Sequence, residues 1–302
     1  YKSFTKNPIK EINYIWVYCD GNNATLLENQ IVHNEGNTKI NFKNYSAFSI
    51  ERLANENLIE KESKNIILNL RGVNNKRDWL NNPLNSLEIQ MQSCSNILNS
   101  DFNLYPNTKL VHFSSQLCDL IESNFSLKEI CEGEDSYRSA YMVSRLHQEA
   151  LLRAYAYKNA IETKFVRMPA VYGFDSDINS PWIITSLIKE FVKNKSISLR
   201  KPELIVWLTH KKLLIDFIRQ TIVNFFGNTL ESNVSYLNCP MLGFKLKDLS
   251  ILISKSIMDE DFYIESLSDK VINKIDDEYQ ADINSNLNVL ESIILEIYQN
   301  AK

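Results

Sequence analysis

Glycine is scarce. The chain of 302 residues carries 7 glycines, where average usage would supply roughly 20. A function that needs a glycine-rich phosphate loop must therefore be met with few residues that let backbone approach a diphosphate closely. The five cysteines, Cys19, Cys94, Cys118, Cys131 and Cys239, include no CxxC pair, which excludes a dithiol motif or a clustered thiolate site by spacing and reads as reduced thiols. The four histidines, His33, His112, His147 and His210, form no HxxxH pair, so no metal site is expected. No apolar run approaches the length of a bilayer span, and the opening YKSFTKNPIKE lacks the apolar core of a signal peptide. Its first residue is Tyr rather than Met, which leaves room for a short leading segment. The formal net charge of -4 offers no general attraction to nucleic acid or to an anionic membrane. These absences predict a soluble, cytoplasmic protein.

What is present is ordinary globular material, 44% hydrophobic and 23% charged, in a chain long enough for one large domain or two smaller ones. Asn13 to Cys19 (NYIWVYC) reads as a buried strand, and Asp20-Gly21-Asn22-Asn23 as the turn that ends it. Helical spacing follows from Ala24 to Glu35, stopped by Gly36, and again over Ser49 to Lys61. Strands are predicted at Thr38 to Phe42, Asn65 to Leu70, Lys109 to Ser114 and Lys164 to Met168, with a helix at Pro83 to Leu98. Strands alternating with helices imply a doubly wound α/β fold with a parallel sheet, in which ligands sit beyond the carboxyl ends of the strands. From Ser180 the alternation becomes irregular. Helices are predicted at Trp182 to Lys193, Leu213 to Phe226, Lys247 to Met258 and Ser285 to Gln299, with a short strand at Tyr236 to Asn238. This divides the chain into a sheet domain over residues 1–173 and a smaller, mostly helical substrate region over 174–302, part of which returns to the sheet domain.

The stretch Ser139 to Asn159 repeats Met142, Leu146, Ala150, Leu151 and Ala154 at three- and four-residue intervals, one face of a helix. On that helix Tyr141 and Arg145 lie one turn apart. A fixed cation beside a phenol favours the phenolate, which suits proton transfer near neutrality. Taken alone, the pair reads first as two surface residues on an ordinary helix, since a single short motif is weak evidence. Ser115 follows a strand, where a parallel sheet places ligands, although Ser114-Ser115 is also a turn signal. His147 falls on the side of the helix away from Tyr141.

Several segments in order carry a resemblance. NPLNSLEIQMQSCSNIL (Asn82 to Leu98), VHFSS (Val111 to Ser115), AYMVSRLHQEALLRAYA (Ala140 to Ala156) and FVRMPAVYG (Phe165 to Gly173) resemble the extended short-chain dehydrogenase/reductase superfamily, in its branch of nucleotide-sugar epimerases, dehydratases and reductases. Weaker echoes fall at NIILNLRG and at YLNCPMLGFKLKDLSILIS. The resemblance implies a Rossmann-like dinucleotide domain binding NAD or NADP, a nucleotide sugar as substrate, and a homodimer built through the helices at Pro83 to Leu98 and Tyr141 to Lys158. It implies Ser115 to polarise the substrate oxygen and Tyr141 as general acid/base, with Arg145 in the place of the family's Lys. The exchange keeps the charge but changes its shape and donor geometry. Tyr137 is a second phenol without a cation four residues on.

The cofactor contacts implied are Gly21, Asn22 and Asn23 on the first loop, Lys43 (or Asn44) at the ribose position, Leu70, Arg71 and Gly72 after the third strand, and Pro169 and Val171 in the matched turn. A basic Lys43 would favour a 2′-phosphate. The loop keeps one of the family's glycines, and Asp20 brings an acid beside it. An alternative alignment makes Tyr14 to Asp20 the second strand. Gln90 stands for the family's Asn, and Lys211-Lys212-Leu213 for its VDD turn. Arg200 and Lys201 are candidates for a substrate phosphate, or else a solvated basic pair. Two functions follow: NAD(P)-dependent redox chemistry on a nucleotide sugar, or a catalytically impaired relative that binds a ligand, regulates or docks a partner.

Overall fold

In the computed structural model the described residues are 14–19, 39–44, 64–70, 72, 76–100, 102, 105–119, 136–173, 183–199, 201–225, 233–258, 272–274 and 283–301. The helices expected at 24–35 and 49–61 and the loop at Gly21 to Asn23 lie outside them. The chain divides into two compact units, Tyr1–Arg167 with Ile218–Leu237, and Met168–Phe217 with Asn238–Lys302.

The first unit is built on strands β1 (Tyr14–Cys19), β2 (Lys39–Asn44), β3 (Asn65–Asn69), β4 (Thr108–Ser115), β5 (Thr163–Met168) and β8 (Val234–Asn238). They join in the order β2-β1-β3-β4-β5-β8. Parallel registers pair Tyr14 with Lys39, Tyr14 with Asn65 and Asn65 with Thr108. β1 thus lies inside the sheet, between β2 and β3. All five residues of β3, NIILN, are buried, as a parallel strand covered on both faces requires. This is the Rossmann-like sheet that the alternation of strands and helices implies.

Helices α1 (Lys76–Asn81), α2 (Pro83–Leu98) and α3 (Ser136–Asn159) belong to this unit as well. The Asn82 side chain caps α2, accepting the Asn85 amide at 3.2 Å, and Pro83 takes the first turn, where no amide is missed. Ile67, Cys94, Ile97, Leu110, Leu152 and Phe165 form the heart of the core between α2, α3 and the sheet.

The apolar face expected on α3 is only partly the buried one. Met142 is buried and Leu146 half-buried, but Ala150, Leu151 and Ala154 are exposed. The line that packs inward is Met142, Arg145, Gln148, Glu149, Leu152 and Ala156. Long polar side chains can take core positions when their tips are paired, and these are, as shown below.

The second unit holds a four-stranded sheet in the order β10-β9-β7-β6, from β6 (Ala170–Tyr172), β7 (Ile205–His210), β9 (Met241–Lys245) and β10 (Ile272–Lys274). β6 and β7 are parallel, while β9 runs antiparallel to both β7 and β10. Its helices are α4 (Ile183–Asn194), α6 (Leu246–Met258) and α7 (Ile283–Ala301), and α5 (Lys211–Phe225) spans the division between the units. Ile184, Leu187, Ile188 and Phe191 give α4 one buried stripe at helical spacing. The irregular pattern after Ser180 concealed these strands, and the one strand expected there, at 236–238, is the edge of the first sheet instead.

Candidate functional site

Ser115 is the last residue of β4 and is buried, 7% exposed. Its Oγ accepts the Leu117 amide at 3.3 Å. Tyr141 stands half-buried in the second turn of α3, its ring edge-on to Trp79 at 6.1 Å. One turn on, the Arg145 guanidinium carbon lies 5.4 Å from the Tyr141 ring centre. Arg145 is 2% exposed. Its Nη1 donates to the Phe113 carbonyl at 3.3 Å and to Gln148 Oε1 at 3.4 Å.

The same guanidinium covers Gly72. A Cβ on that residue would lie 2.1 Å from Nη2 and 2.5 Å from Cζ of Arg145, so only glycine leaves the cation this seat. The structure therefore brings Tyr141, Arg145 and Gly72 together near the carboxyl ends of β3 and β4. The cation is turned inward onto the sheet rather than outward from the helix.

A glutamine pair holds the two helices behind this group. Gln90 Nε2 donates to Gln148 Oε1 at 2.8 Å, and Gln148 Nε2 returns a bond to the Gln90 carbonyl and to Ser93 Oγ. Gln90, the departure from the family's Asn, is thereby accounted for by a partner 58 residues away. Below Arg145, Asn69 and His112 are register partners joined at 3.0 Å through His112 Nδ1. Burial, and then the charge of Arg145, push the imidazole of His112 down to about 3, so it is a neutral core residue.

A second polar group follows Ser115. Arg167 donates to both oxygens of Glu149, at 3.2 and 2.7 Å, and to Asp119 at 2.6 Å. The Tyr236 ring covers the guanidinium at 4.9 Å, and burial, then the charge of Glu149, raise its phenol to about 12. Cys118 is pushed up to about 11 by burial and by Glu149, so it is an inert thiol. None of Gln148, Glu149, Asp119 or Arg167 stands out in the sequence, although Glu149 follows Tyr141 and Arg145 at the same four-residue step.

Of the other expected residues, Gly21, Asn22, Asn23, Arg71 and Arg200 lie outside the described residues. Lys43 is in β2, paired in register with Tyr18. Leu70 is half-buried directly after β3, and Lys201 is exposed. The Tyr137 hydroxyl accepts from Arg138 Nε at 3.0 Å. His147 is exposed.

In the second unit Pro169 and Val171 are buried. Gly173 follows at φ +88, under the ring of His210, and Val171, Gly173, Thr185 and Ile293 line a small apolar cavity there. Burial and the charges of Lys211 and Lys212 lower the His210 imidazole. Among the described residues no group of three His, Cys, Asp or Glu could hold a metal ion, and no helix is long and apolar enough to cross a membrane.

A parallel Rossmann-like sheet of this order defines the class of doubly wound α/β proteins whose ligands sit beyond the carboxyl ends of the strands. The sequence matches the model of the NAD dependent epimerase/dehydratase family over residues 29–212, and the chain belongs to that family. The match begins after Gly21 to Asn23. No curated protein matches the chain. Among solved structures it is similar to a dTDP-glucose 4,6-dehydratase of Streptomyces venezuelae, with TM-score 0.56 and 14% identity over 84% of this chain and 74% of that one. It is similar to the Bordetella bronchiseptica enzyme WbmF, solved with NADH, with TM-score 0.55 and 10% identity over 97% of both chains. A UDP-N-acetylglucosamine 4-epimerase of Methanobrevibacter ruminantium M1 gives TM-score 0.54 and 16% identity over 83% of this chain and 84% of that one. At these identities the likeness is one of fold.

Proposed function

We propose that the chain is an NAD(P)-dependent epimerase/dehydratase or reductase acting on a nucleotide-activated sugar. The observation that carries this reading is the seating of Tyr141 against the Arg145 cation, 5.4 Å from ring centre to guanidinium, beside the strand that ends in Ser115. Family membership supports it, as do neighbours solved with NADH or with UDP- and dTDP-sugar chemistry in their names. Two hydroxyls and a fixed cation are the donors that such chemistry uses, so the residues suit a nicotinamide dinucleotide in kind, and Arg145 is the departure. When bound, the nicotinamide would take up and return a hydride. Tyr141 would exchange the proton at its phenolic oxygen. Ser115 Oγ already accepts the Leu117 amide, which leaves its own proton to donate to a substrate oxygen. Lys43 would favour NADP over NAD, and Arg200 and Lys201 would meet a substrate phosphate. In this reading residues 1–173 are the dinucleotide domain and 174–302 supply sugar recognition.

A homodimer is the proposed assembly. α2 and α3 pack on each other, and both leave apolar side chains exposed: Leu84 at 73%, Leu87 at 41%, Val143 at 46% and Tyr157 at 59%. These exposed side chains on two packed helices are the surface that a second copy would cover.

One observation favours the second reading, a catalytically impaired member that binds a ligand or partner: the guanidinium of Arg145 is buried on Gly72, in its own bonds. Titration with NADH and NADPH, followed by energy transfer from protein to nicotinamide, separates the two. Absence of saturation at millimolar dinucleotide would leave only the second. If the cofactor binds, Tyr141→Phe should abolish turnover and leave binding nearly intact; retained turnover removes Tyr141 from its role.

A further inference from the structure

Ser115 does not stand at the end of β4 by strand pairing alone. The turn that follows it closes on itself: the Asp119 amide donates to the Gln116 carbonyl at 3.1 Å, and the Gln116 amide nitrogen donates to Asp119 Oδ2. The other oxygen of Asp119 is taken by Arg167 Nη1 at 2.6 Å. Arg167 comes from β5, and its remaining donors grip both oxygens of Glu149 on α3, two helical turns beyond Tyr141. One guanidinium thus ties together the turn after Ser115, the strand β5 and the helix that carries Tyr141.

The charge count argues that this is more than neutralisation. Glu149 and Arg167 are both buried, with side chains 3% and 9% exposed, and one bidentate pair satisfies their charges. Asp119 adds a second carboxylate at the rim, where its side chain is 36% exposed. It contributes little to burying the cation. What it fixes is the turn.

We infer that Arg167, through Asp119 and Glu149, is a positioning residue that locks the Ser115 turn onto the Tyr141 helix and so sets the two hydroxyls for proton handling. The catalytic half of this inference rests on the enzymatic reading above. Arg167 itself is a poor first probe, because removing it strands a buried carboxylate. Asp119 is the better one, since its substitution leaves the Arg167–Glu149 pair in place.

The test uses the full chain with Asp119→Asn and Asp119→Glu. In the first, exchange of the Leu117 amide, the donor to Ser115 Oγ, should quicken about tenfold while β3 and β4 exchange as in the wild type. Asp119→Glu should restore much of the protection. Turnover, with a UDP-sugar as probe, should lose about tenfold in kcat at unchanged KM in Asp119→Asn and recover in Asp119→Glu. Unchanged Leu117 exchange overturns the lock, as does acceleration spread evenly over the sheet. Local acceleration with unchanged kcat overturns the positioning role. Should the wild-type protein turn nothing over, the enzymatic reading is what fails, and Leu117 exchange still decides the lock.

Discussion

The Arg145 guanidinium lies on the Cα of Gly72, with Nη2 2.1 Å from where a Cβ would stand. Arginines usually swing away from such a contact. This one is held by the Phe113 carbonyl, Gln148 and the face of Tyr141, and is 2% exposed. Gly72→Ala should therefore destabilise the protein by about 1–3 kcal/mol, the usual cost of overpacking. Urea denaturation measures it. In an Arg145→Met background the same change should fall to within about 0.5 kcal/mol, because the obstacle has gone. Equal costs in both backgrounds would show that Arg145 is not what Gly72 accommodates.

Arg145→Lys tests the other consequence of that seat. Both bonds, to Phe113 O and Gln148 Oε1, come from Nη1 at the tip of the guanidinium, and the shorter lysine loses that tip and its planar contact with the Tyr141 ring, so stability should drop by about 1–3 kcal/mol. The space over Gly72 opens at the same time. Binding of NADH should tighten as stability falls, read by energy transfer and by thermal midpoint on the same samples. A lysine variant that is less stable and binds no better would favour the non-catalytic reading.

Why the strand that ends in Ser115 and the helix that carries Tyr141 were legible in the sequence while the contacts around them were not follows from range. KLVHFS and NIILN are local patterns, and a strand's carboxyl end or a one-turn spacing can be read within a dozen residues. The inward fold of Arg145 depends on a glycine 73 positions earlier and a carbonyl 32 positions earlier. Gln148 and Glu149 break the apolar period of α3, yet they are buried because Gln90 and Arg167 meet them from α2 and β5. A polar residue with a remote partner looks, in sequence, like a surface residue. The exposed Ala150 and Ala154 show the converse error, since small apolar residues at helical spacing need not face the core. β7 escaped although IVWLTH is rich in β-branched and aromatic residues, because it stands alone between helical stretches and its pairing comes from the distant β6 and β9.

His112 makes acid stability measurable. The Asn69 amide donates to Nδ1, Phe165 stands edge-on at 5.8 Å, and Arg145 adds its charge, so the buried ring refuses a proton until about pH 3. The unfolded chain takes that proton near pH 6.5. Its contribution is therefore complete above pH 6.5 and is lost as pH falls through that window, at up to about 1.4 kcal/mol per pH unit. His112→Gln should flatten the acid limb by one proton. In the wild type the ring's NMR shifts should remain those of neutral imidazole at pH 4; protonation near pH 6 would contradict the burial and pairing described.

The apolar face of α2 and α3 gives the last prediction. Leu84 at 73% exposure and Val143 at 46% are large aliphatic side chains left uncovered on two helices that already pack on each other. Single exposed leucines are common, but several on adjacent helices suit an interface with a second copy of the same surface. The wild-type chain should sediment as a dimer. Leu84→Glu with Val143→Glu should give a monomer, because each interface would then bury four like charges without partners. Exposed substitutions change the fold's stability by no more than about 0.5 kcal/mol in the monomer, so circular dichroism should be unaltered. A wild-type chain that stays monomeric at high micromolar concentration removes the homodimer, and the face then needs a different partner.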